Sequence, residues 1–137
     1  MTGDRFDSWL TRHAAEGEEV DGLLALCLPD EPTDLINAVR IVEGFYGRCL
    51  FLTTEADAFL DEAQAQELDT IIRSCSEKLP SYEKEIRVNA AVSPVRQLRD
   101  AWKSRAEAIR TRVGIAQSLL GYHRDVFLNT TAGRARG

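Results

Sequence analysis

The 137-residue chain has only three cysteines, Cys27, Cys49 and Cys75, and no two of them form a CxxC pair. An odd number without close spacing argues against both a disulfide framework and the thiolate zinc motifs. All three sit among apolar residues, which predicts buried free thiols in a reducing compartment. Histidine is as scarce. His13 and His123 are the two, and neither HxxxH nor HExxH occurs. Phosphate-cradling loops of the GxxxxGK[ST] and GxGxxG types are also missing. Carboxylate pairs such as Asp57 and Asp61 stand without a base or metal ligand beside them. These absences predict a protein that is not an enzyme and that uses no cofactor and no metal. Proline and glycine are sparse, four and nine residues, which argues against a many-turned β-sandwich. The longest continuous apolar run, LLALCL at 23–28, is far short of the ~20 residues that span a bilayer. The N-terminal MTGDRFDSWL has charges and no apolar run. The expected location is the cytoplasm (the host cytoplasm if the chain is phage-encoded), without membrane binding.

What the chain does have is helical periodicity and a divided charge. Hydrophobic residues make up 44%, enough for a core. Residues 1–79 carry 17 acidic and 6 basic side chains, a net of −11, whereas residues 80–137 carry 5 and 11, a net of +6. Such a split points to an anionic partner, or to halves that pack charge against charge.

The periodicity predicts an all-α chain, an elongated helical hairpin or bundle with a long C-terminal amphipathic helix. Residues 1–30 are expected to hold one or two short helices, with a break between Gly17 and Gly22. The hairpin core is expected over 33–128, and a disordered tail over 129–137. LPDEPT at 28–33 is a stop, because two prolines within four residues cannot continue a helix. Thr33 is a candidate cap for the next helix. From Leu35 to Leu79 apolar residues recur at helical spacing, with possible interruptions at Gly44–Gly47 and at 64–67. The outer face of this segment is acidic: Glu43, Glu55, Asp57, Asp61, Glu62, Glu67 and Asp69. Pro80 ends it. Ser81 starts a short segment, and Ser93-Pro94 signals a stronger start, a capping hydroxyl followed by proline at the first helical position.

In the last helix Trp102, Ala106, Ile109, Val113, Ala116, Leu120, His123 and Phe127 step alternately by four and three. That spacing makes one apolar seam, with His123 expected as a packed, hydrogen-bonded histidine. Cations edge it on both sides. Arg99, Lys103 and Arg110 lie on one flank with Arg96 at the margin, and Arg105 and Arg112 lie on the other. Lys84 and Arg87 precede them. These eight residues are the candidate nucleic-acid-binding set, since several Arg and Lys on a common track suit phosphate contacts.

The C-terminal half resembles the phage UvsY-like recombination mediators. The resemblance rests on SYEKE at 81–85, the short apolar stretch ending at Ser93, the final helix carrying Ala101-Trp102, and the closing basic turn with its glycine-containing tail. It covers roughly residues 80–137. It implies a small all-helical, ring-like homo-oligomer that binds single-stranded DNA and contacts a recombinase and a single-strand binding protein. The chain departs from that pattern at FLTTEADAFLDEAQAQ, which is acidic where the relatives are basic.

Two functions are therefore expected to compete. One is a recombination or replication accessory protein that binds single-stranded nucleic acid through the basic helix. The other is a helical protein–protein interaction module, such as an adaptor, structural subunit or inhibitor, in which the same cations answer acidic helices.

Overall fold

The computed structural model describes residues 2–74 and 78–136, with side chains described for 4–74 and 78–130. Three helices follow in order: α1 (Thr2–Ala25), α2 (Pro32–Ser74) and α3 (Ser81–Arg136). Among the described residues there is no strand, and the all-α hairpin expected from the sequence is what forms.

The expected break in α1 does not occur. Trp9, His13, Gly17 and Val20 are all buried along one stripe. Each helical glycine costs about 1 kcal/mol relative to alanine. Burying one side chain the size of Val20 returns about 1.5–3 kcal/mol, so packing overrides local propensity. Pro29 and Pro32 then bound the turn into α2.

The cap of α2 is Glu31 and not Thr33. The Glu31 carbonyl accepts from the Leu35 amide at 2.9 Å, and its carboxylate accepts from the Asp34 amide at 2.8 Å. Pro32 occupies the first helical position, where its missing donor costs nothing. The Asp34 and Thr33 amides hold the Glu31 carboxyl below its ordinary range. α2 then runs 43 residues, roughly 65 Å. Neither suspected interruption appears: Val42, Cys49, Leu52, Ala56 and Leu60 keep one face buried across Gly44–Gly47, and the helix runs on through 64–67 to the buried Ile71.

Pro80 lends its carbonyl to the amides of Glu83 and Lys84 at 3.1 and 3.2 Å, which starts α3. Ser93-Pro94, expected as a helix start, lies inside α3 instead. A proline here frees the carbonyl four residues back. Ala90 and Pro94 are both exposed, so the freed group lies at the solvent side, where the loss is least. α3 also continues to Arg136, through the segment expected as a disordered tail.

α2 and α3 run antiparallel, since Arg99 bonds Asp57 while Ile109 and Val113 share a groove with Glu43 and Tyr46. α1 lies in one groove of this hairpin. Its Trp9 Nε1 donates to Glu55 Oε2 at 2.8 Å, and Arg48 Nε donates to Glu16 Oε2 at 2.8 Å. The core forms where the three helices meet: Trp9, Val20, Val42, Cys49, Leu52, Ala56, Trp102, Ala106 and Ile109. Small side chains at 49, 56 and 106 make room for the Trp102 ring. Phe59 lies 5.9 Å from both Phe6 and Trp9, edge to face.

The seam of α3 is buried at Trp102, Ala106, Ile109 and Ala116, as its spacing predicts. It does not reach Phe127, which is 68% exposed. Past His123, itself half-buried, α3 runs beyond the start of α2, and the side chains of residues 124–130 are all exposed. Cys49 is a buried free thiol, its pKa raised by burial. Cys27, expected to be buried, is exposed in the turn after α1. Cys75 lies outside the described residues.

Candidate functional site

The two flanks of cations on α3 have different fates. On the first flank, Arg105 points at α1. Its Nε and Nη2 donate to the two carboxylate oxygens of Asp21 at 2.9 and 3.0 Å. The guanidinium lies 4.4 Å over the Trp102 ring. A Cβ built on Gly17 would stand 3.0 Å from it, so the backbone of α1 approaches closely only because that residue is glycine. The bond from Arg105 lowers the Asp21 pKa. Arg112, seven residues on, donates to the carbonyls of Leu24 and Leu26. It therefore satisfies carbonyls left open at the C-terminus of α1, where a cation is also favoured by the helix dipole. Arg105 and Arg112 together are the clasp that holds α1.

The second flank is half used and half open. Arg99 is used within the hairpin, donating to Asp57 at 2.9 Å and to its neighbour Asp100 at 2.7 Å. These bonds raise its pKa. Arg96 donates to Asn89 at 2.9 Å. Lys103 and Arg110 are exposed, and among the described residues neither has a hydrogen bond or ion pair. They line a groove between α2 and α3 on the side away from α1, with Tyr46, Leu50, Asp57, Ala106 and Glu107. The groove continues past Val113 and Gly114, where its volume is about 560 Å³. Leu50 on its wall is 45% exposed. Near the interhelical turn, Lys84 lines a further depression with Leu68, Ile72 and Val88. Arg87 is exposed on another face of α3.

The eight sequence-predicted cations thus do not form a single track. Arg105 and Arg112 face α1, Arg96 and Arg99 are bonded to side chains of the hairpin, and Lys103 and Arg110 edge the open groove. The acidic face expected on α2 is divided in the same way. Glu55 and Asp57 turn to Trp9 and Arg99, and Glu62 lies 3.7 Å from Arg5.

Sequence reading missed Asp21, Gly17 and the Glu16–Arg48 pair. The flank division of the cations was the available signal for the first two, although the same seven-residue spacing at Lys103 and Arg110 carries no bond among the described residues. Glu16 accepts from both Arg48 nitrogens and from His13 Nδ1, and the Arg48 bonds bring its pKa down to about 2. Among the described residues no group of three His, Cys, Asp or Glu is placed to hold a metal ion, and no helix is long and apolar enough to cross a membrane. The chain matches no known protein family, no curated protein and no solved structure. Its function is therefore argued from this geometry.

Proposed function

We propose that the chain is a non-catalytic helical protein–protein interaction module whose docking surface is the open groove of the α2–α3 hairpin. One observation carries the reading. The hairpin has two grooves edged by cations; an acidic amphipathic helix, α1, fills one, and the other, walled by Tyr46, Leu50 and Val113, is open. Apolar walls with charged rims are the composition of protein-binding surfaces. The filled groove supplies an example, within the same chain, of what such a surface takes.

A photo-crosslinking amino acid at position 50 tests this in cells that make the protein. Protein adducts, sensitive to protease and indifferent to nuclease, are the expected product. Adducts to nucleic acid alone, or none, would refute the proposal.

Single-stranded nucleic acid is the second reading, favoured by Lys84, Lys103 and Arg110, whose side chains have no hydrogen bond or ion pair among the described residues. Three phosphate contacts would give a salt slope of about −2, taking ~0.7 per contact on a single strand. The full set of eight would give a slope well beyond about −4. Fluorescence anisotropy of a labelled oligo-dT at two salt concentrations separates these values from no binding. In this reading the mediator-like role implied by the C-terminal resemblance falls to those three side chains.

A further inference from the structure

The outward edge of α3 beside the open groove carries a regular pattern. Arg96, Asp100, Lys103, Glu107, Arg110 and Gly114 follow one another at steps of four and three. They form one stripe of the helix, and the charges along it alternate in sign. Such stripes commonly knit themselves together by pairs three or four residues apart. This one does not. Lys103, Glu107 and Arg110 make no hydrogen bond or ion pair among the described residues, although each has an opposite charge within four positions.

The order of signs is self-complementary in the antiparallel sense. Turned about a two-fold axis level with Arg105, Lys103 meets Glu107 of the second copy, and Glu107 meets its Lys103. Asp100, which also accepts from Arg99 of its own chain, meets Arg110, and Arg96, which donates to Asn89, meets the small, uncharged Gly114. Along α3 no like charges face each other. The same axis acts on α2. Leu50 lines the groove together with Lys103 and Ala106, so it stands at the same level and meets its own counterpart on the axis. Tyr46, one turn away, flanks it. A two-fold perpendicular to the helices therefore lays α3 on α3 and α2 on α2. The result is a four-helix core with α1 clasped on the outside of each half. An isologous contact demands that one patch complement itself, and this patch does so in the charges along α3 and in its apolar centre; on α2, Glu43 comes opposite Asp57 of the second copy, and Arg99, bonded to Asp57 at 2.9 Å, offsets that pair.

We infer that the occupant of the open groove is a second copy of this chain, seated antiparallel about Leu50 with Lys103 of each copy against Glu107 of the other. The inference rests on the interaction-module reading and names its partner.

Sedimentation equilibrium of the full chain tests it. The wild type is expected to be a dimer at micromolar concentration. Lys103→Glu alone and Glu107→Lys alone each turn two attractive pairs into two repulsive ones, and each should weaken the dimer about tenfold or more. The double variant K103E/E107K restores both pairs with the signs exchanged and should recover the wild-type dissociation constant. Both side chains are exposed and without intrachain bonds, so helical circular dichroism should be unchanged in all three. A monomeric wild type, single variants that dimerise normally, or a double variant as weak as the singles would each overturn the inference. A monomer that still forms adducts to other proteins from position 50 would leave the module reading standing, whereas adducts to nucleic acid alone would remove that reading.

Discussion

If Arg105 is the clasp on α1 and Lys103 only edges an open groove, replacing each by methionine should have very different effects on stability. Methionine keeps the length and the packing of the aliphatic stem and removes only the charge and its bonds. For Arg105 the loss comprises two charge-assisted bonds to Asp21, at 2.9 and 3.0 Å, and the contact with the Trp102 face at 4.4 Å. Bonds between charged groups can reach about 1.5–3 kcal/mol. The Asp21 side chain is 56% exposed, so solvent screening reduces the pair toward about 1 kcal/mol. The cation–π contact adds about 0.5–1 kcal/mol. Arg105→Met should therefore cost about 1.5–2 kcal/mol. Lys103→Met has no bond to lose and should stay within about 0.5 kcal/mol. Urea denaturation followed by circular dichroism resolves the difference, which at a slope of about 2 kcal/mol per molar is a midpoint shift of about 0.75 M. It should be run at a protein concentration where self-association is absent. Asp21→Ala completes a double-mutant cycle and should couple to Arg105 but not to Lys103. Equal effects of the two methionine variants, or no coupling to Asp21, would refute the division of the flanks.

Trp102→Ala, at a ring only 2% exposed, should cost about 3–5 kcal/mol in the same assay, and a near-neutral result would mean the ring is not in the core. Two glycines of α1 should respond in opposite ways to alanine. Gly22 has nothing within 4 Å of an added Cβ and should gain about 0.5–1 kcal/mol, whereas Gly17 meets the bound guanidinium of Arg105 and should lose that gain or reverse it. Acid stability should carry the mark of Glu16. Its pKa falls from 4.5 in the unfolded chain to about 2 in the folded one, so its contribution is fully present above pH 4.5 and is lost as the pH drops toward 2. Glu16→Gln should flatten the acid limb in that window, and an unchanged limb would show that the Arg48 pair does not form.

Much of the fold was open to reading in one dimension. The four-and-three spacing from Trp102 to Ala116 marked the buried stripe of α3, and the prolines at 29 and 32 marked the turn. Where the reading missed, a local signal was opposed by packing that no local window contains. Gly17 and Gly22 weaken a helix on their own, yet Trp9, His13 and Val20 bury one continuous face across them. Ser93-Pro94 is a good start for a helix, yet the hairpin already holds the chain helical from Ser81. The candidate site was legible as a set of cations and not as a surface, because a helical wheel gives an angle but not what lies at that angle.

The sequence by itself determined that the chain is helical, where the hairpin turns, which stripe of α3 is apolar and that cations border it on both sides. These follow from periodicity, proline geometry and composition, all of which act over a turn or two of helix. Only the tertiary structure decided which border was used. α1 returns antiparallel to α2 and lies on the Arg105 and Arg112 side, 84 residues from Asp21 to Arg105 along the chain. That choice was set by the fit of the Trp9 indole against Phe59 and Glu55 and by the room that Gly17 leaves for a guanidinium. It leaves Lys103 and Arg110 on the side that faces outward.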